Sequence, residues 1–134
     1  MTSQQRLLSA YLVNATLVLC HEIDAAYWHE WRLFHLPGGP AGFVAIHFVV
    51  VPLVLAGLVA VARGSVQSRW WAIGIGGAGI AGCIAHLAFL LHGDERFSTP
   101  FSVALIIAFG LSSLALAVTA INAPPPRMEE KGPQ

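Results

Sequence analysis

The sequence predicts an all-α fold: an integral membrane four-helix bundle, with both termini cytoplasmic. Of the 134 residues, 56% are hydrophobic and 10% are charged, and the mean hydropathy is +0.68. An ordinary soluble domain carries about a quarter charged residues, so lipid solvates most of this surface. The apolar residues gather into four segments of about 20, the length that crosses the hydrocarbon core as a helix. Polar or proline–glycine breaks separate them. Four such spans nearly use up the chain, leaving one domain, about 1–122, and no soluble module.

The first helix is expected over about 7–30. Arg6 before its apolar run resembles the start of a leader peptide, but no small-residue cleavage site follows, and Leu19 before Cys20 fits a lipoprotein site poorly; it reads as a retained span. Its far end is polar, with His21, Glu22, Asp24, His29 and Glu30, and Leu36-Pro37-Gly38-Gly39-Pro40 stops it. The second helix is expected over about 43–62, with one ionisable residue, His47. Pro52 there removes a backbone hydrogen bond and frees the Phe48 carbonyl, which should bend the helix.

After a short polar turn, Arg63 to Arg69, the third helix is expected over about 70–91. Gly74, Ala78, Gly82 and His86 are spaced four apart and read as one ridge. Small residues on such a ridge let a neighbouring backbone approach closely. The fourth helix, about 101–121, has no ionisable group, and Thr99-Pro100 opens it, proline being tolerated in a first turn. Asp94, Glu95 and Arg96 before it read as a solvated charged turn. Residues 123–134, with three consecutive prolines and mixed charges, read as a disordered tail.

Four spans place Arg6, Arg63, Arg69, Arg127 and Lys131 on one side and Arg32 and Arg96 on the other. The richer side should be cytoplasmic. Trp28 and Trp31 then mark the outer interface, and Trp70 and Trp71 the inner one. A net charge of zero gives no basic patch for nucleic acid. Cys20 and Cys83 both lie in apolar segments without zinc-finger or disulfide-framework spacing.

This topology puts all six histidines in the outer half or the outer loops. His47 and His86 should lie roughly 10 Å below their helix ends, and His21 at a similar depth. Three helices thus deliver an imidazole to one level. At about 100° per residue, Asp24 lies about 60° to one side of His21 and His29 about 80° to the other, with Asn14 and Trp28 within about 20°. That polar arc should face the bundle interior, with Glu22 on its border and Glu30 pointing away into the headgroups. His35 and His92, near the interface, read as solvated.

Ionisable groups inside a membrane need partners, protonation or water. In the first of three readings, His21, Asp24, His47 and His86 ligate a divalent metal (zinc, iron or manganese), with Glu22 as acid–base partner. No H-E-x-x-H motif is present, because position 25 is alanine. In the second, Glu22 and Asp24 act as catalytic acid–base groups with a histidine and no metal. In the third, the polar side chains only hold the helices together, at roughly 0.6 to 2 kcal/mol per hydrogen bond. Haem held by two histidines from different helices is a further alternative, disfavoured by the acids beside His21. Cys83 could join a soft-metal site but reads as core packing. Transport is disfavoured, because the inner halves offer only Asn14, Thr16 and scattered serines as a polar path. Enzyme and scaffold both stay open, as do a homo-oligomer and a partner membrane subunit.

The stretch His21-Glu22-Ile23-Asp24-Ala25-Ala26-Tyr27-Trp28-His29-Glu30-Trp31-Arg32 resembles small bacterial four-helix membrane proteins of a family of unknown function, whose signature reads H-E-x-D-A and then E-W. It is also distantly similar to the membrane family named for an H-x-x-E-E motif, which this chain lacks as written. The resemblance implies a bacterial cytoplasmic-membrane protein and brings no established activity.

Overall fold

A computed structural model describes residues 1–93 and 98–124. The expected charged turn at Asp94, Glu95 and Arg96, and the expected tail from residue 125 onward, lie outside the described residues. Five helices are described: α1 Ser3–Tyr27, α2 Glu30–Leu33, α3 Gly39–Ala62, α4 Ser68–Leu91 and α5 Pro100–Ile121. Of these, α3, α4 and α5 are each long and apolar enough to cross a membrane.

Each boundary has a local cause. Thr2 caps α1: its hydroxyl accepts from the Gln5 amide at 3.1 Å while the Gln5 side chain accepts from the Thr2 amide at 2.8 Å. At its other end α1 stops at Tyr27, and His29 turns left-handed, with φ of 59°. A β-carbon makes that conformation unfavourable, so the break is imposed by what surrounds it. The single turn α2 follows. Gly38, at φ of 83°, then starts α3, and Pro40 sits in its first turn. Pro40 was expected to belong to the breaking loop; its fixed φ and missing N–H cost nothing at a helix start. α3 runs unbroken through Pro52. Thr99 caps α5 by accepting from the Ser102 amide at 3.2 Å.

The long helices form a ring in the order α1, α3, α4, α5, each against its two neighbours, with a slighter contact across the diagonal from α1 to α4. Tyr11 against Val54 and Glu22 against His47 show that α1 runs antiparallel to α3, and Asn14 against Ser113 and Asp24 against Ser102 show the same for α5. One end of the core is built on Leu7, Tyr11, Val61 and Leu116, the other on Ala25, Leu33, Phe43 and Ile106. Val44, Phe48, Val49, Ile84, Ile107 and Leu111 point outward and exposed, as suits helices in a bilayer.

The small-residue ridge of α4 lies elsewhere than expected. A β-carbon added at Gly76 would come within 2.8 Å of the Ser113 carbonyl, and one at Gly79 within 2.1 Å of the Ser113 hydroxyl, whereas one at Gly74 meets nothing within 4 Å. The close approach to α5 therefore runs through Ala72, Gly76, Gly79 and His86, which are buried. A strict four-residue repeat drifts about 40° per step, while alternating steps of four and three stay on one line. Gly74 has rotated outward by that drift.

Candidate functional site

The buried face of α1 follows the same alternation: Leu7, Tyr11, Asn14, Val18, His21 and Ala25. It carries His21 into the bundle as α4 carries His86, each 3% exposed. The two rings meet edge to face with centroids 4.6 Å apart and planes at 82°. The His21 ring also stacks on Phe109 of α5, at 5.2 Å and 17°. This contact leaves no slot between the imidazoles for a flat porphyrin, so one haem could be held by both only if they parted.

Hydrogen bonds assign two tautomers, since a carbonyl oxygen can only accept. Nδ1 of His86 donates to the Gly82 carbonyl at 2.9 Å, which leaves the lone pair of the neutral ring on Nε2. Nδ1 of His47 likewise donates to the Phe43 carbonyl at 2.7 Å. Nδ1 of His21 is buried and has no hydrogen-bond partner. A buried polar atom without a partner costs about 1–3 kcal/mol, which a ligand would offset.

Glu30 closes the group. The left-handed turn at His29 swings α2 back over the end of the bundle and puts Oε1 of Glu30 3.7 Å from Nε2 of His86. One ligand atom from each of His21, Glu30 and His86 lies within 4.8 Å of the others. Burial, and then the nearby Glu22 carboxylate, push the Glu30 carboxyl up to about 7, with His47 opposing. Glu30 was expected to face the headgroups. That expectation continued the α1 helical phase past Tyr27, where the helix has ended.

The other expected residues divide. Oε2 of Glu22 lies 2.7 Å from Nε2 of His47. With Nδ1 already donating, one proton sits between them, on the imidazole or on the carboxyl. Asp24 turns the opposite way, accepting from the Ser102 hydroxyl of α5 at 3.1 Å; that hydroxyl accepts in turn from Trp28 Nε1 at 3.2 Å. The structure thus brings together His21 and His86, places His47 with Glu22 beside them, and directs Asp24 away. His29, His35 and His92 are exposed, and the Cys83 thiol donates to the Ile106 carbonyl at 3.6 Å within the core.

A cavity of about 320 Å³ lies against His21, Glu22, Glu30, His86 and Phe109. The model of a family of unknown function, DUF6713, matches residues 7–123. The chain belongs to that family. A family of unknown function is also what the twelve-residue stretch from His21 implies. No curated protein and no solved structure matches the chain. For this member of DUF6713, the chemistry must therefore be read from the cavity. It holds two imidazoles and two carboxylates in an otherwise apolar wall, the donor types that suit zinc or non-haem iron.

Proposed function

We propose that this chain is a four-span protein of the bacterial cytoplasmic membrane that binds a divalent metal in a pocket at the outer leaflet. The ligands are His21, Glu30 and His86, and the Glu22–His47 pair is the neighbouring acid–base group. The carrying observation is the convergence of one ligand atom each from His21 of α1, Glu30 of α2 and His86 of α4, beside a buried His21 Nδ1 that has no hydrogen-bond partner. In a tetrahedral site with arms of about 2.1 Å, ligand atoms stand about 3.4 Å apart. Side-chain rotation alone could supply that contraction. Asp24 and His47 lie outside this set; the Ser102 and Glu22 bonds that hold them would have to break for either to join.

The first helix counts as the fourth span because Asn14 and His21 turn inward while Leu12, Val13 and Ile23 face outward. Both termini fall on the side of Arg6, Arg63 and Arg69, which makes that side cytoplasmic. A bound divalent ion would serve as a Lewis acid toward an oxygen ligand in the cavity. His21, His86 and Glu30 orient it, the apolar wall excludes bulk water, and the Glu22–His47 pair gives or takes a proton at the open end.

A second reading, in which polar groups only join helices, is favoured by Asn14, whose amide donates to Ser113 at 2.8 Å and Ser112 at 3.0 Å. Elemental analysis of detergent-purified protein separates the two. Wild type should carry close to one ion per chain, and His21→Ala and His86→Ala should each lose about tenfold or more. Equal, trace metal in all three would remove the metal reading.

A further inference from the structure

α3 packs on α4 less closely than α5 does; two cavities follow the α3–α4 seam, and a third adjoins them between α3 and the α1–α2 end. The first, about 410 Å³, lies beside Leu53, Trp70, Trp71 and Gly74. The metal pocket is the second; it shares Leu53 and Ile75 with the first and passes Ala78 and Gly82 to reach His21. The third, about 390 Å³, shares Glu22, Glu30, Phe34 and Val50 with the second and adds His47. The shared wall residues set the three side by side as one line of cavities. Along α4 it runs from Trp71 to His86, roughly 22 Å, against roughly 15 Å of hydrocarbon in one leaflet.

Gly74, which the packing against α5 does not use, and Ala78 and Gly82 form the floor of this path. Ala78 and Gly74 are exposed, so the seam opens sideways toward lipid. An α-helix with its side chains is about 10 Å across and could not follow the path inward to His21; a single hydrocarbon chain could. At the inner end the 3% exposed His21 presents an Nδ1 with no protein partner. Phosphate and carboxylate heads are ordinarily met by Arg or Lys, and neither type lines any of the three cavities among the described residues. Two carboxylates do.

We propose that the α3–α4 seam binds a single-chain amphiphile with an uncharged, oxygen-bearing head, a long-chain alcohol in kind, its head at His21 and its chain along Ala78 and Gly74. This rests on the four-span reading and names the ligand class of the metal pocket.

Native mass spectrometry of the full chain, released from detergent with hexadecanol, hexadecanoate or hexadecyl phosphate added, tests it and reads metal in the same spectrum. Wild type should retain one hexadecanol per chain, with about tenfold weaker retention of either anion. Ala78→Phe fills the path at an exposed position and should lose hexadecanol. Gly74→Leu, with open space around it and outside the metal pocket, should lose hexadecanol while keeping metal. No hexadecanol adduct on wild type, preference for an anion, undiminished binding in both variants, or a dimer free of adduct would each overturn the proposal. Metal without alcohol overturns this inference alone. Alcohol without metal supports it and removes the metal reading instead.

Discussion

At Glu30 the surroundings hold a proton that the unfolded chain would release. Its carboxyl is pushed up to about 7 from 4.5 by burial and by Glu22. The stabilisation from that raised value is complete below 4.5 and disappears as pH climbs through about 7. Metal-free protein should therefore melt at progressively lower temperature between about pH 5 and pH 8, and Glu30→Gln should flatten that slope. Glu22, His47 and His86 also face this carboxyl, so the difference between wild type and variant is the readout. An unchanged slope in Glu30→Gln would mean that its neighbours, not this group, set the dependence. The meeting of His21 and His86 was legible in the sequence, because depth and helical phase both survive folding. Glu30 was not, since no period predicts a side chain beyond a left-handed residue. Nor was the direction of Asp24, which Ser102 decides from α5, a helix in which only scattered hydroxyls hinted at partners.

For the elements, close approach and open path divide the small residues of α4 between two faces. Gly76 meets the backbone of Ser113, which cannot move aside cheaply. Gly76→Val should destabilise the protein by about 1–3 kcal/mol, read as a fall in detergent melting temperature. Gly74→Ala, with nothing within 4 Å of the added carbon, should be neutral or slightly stabilising through helix propensity. Similar losses in both would show that the α4–α5 contact has been placed on the wrong face. The sequence showed that glycine was abundant here and that a helix would form. It did not show the face, because a four-residue repeat and a four-three repeat share members over a few turns.

For the molecule as a whole, the topology is open to a direct measurement. With Cys20 and Cys83 replaced by alanine, Pro37→Cys should react with a membrane-impermeant thiol reagent from outside the cell, and Val66→Cys only after lysis. Labelling of both from one side would mean that α3 does not cross the membrane. The ring order also sets a schedule for biosynthesis. His21 leaves the ribosome with the first long helix and His86 near the end of the third, so a partly synthesised chain holds one imidazole without the other. Chains stalled before α4 has been made would carry two of the three proposed ligands, His21 and Glu30, and an ion at the proposed site would arrive after nearly the whole protein is in place.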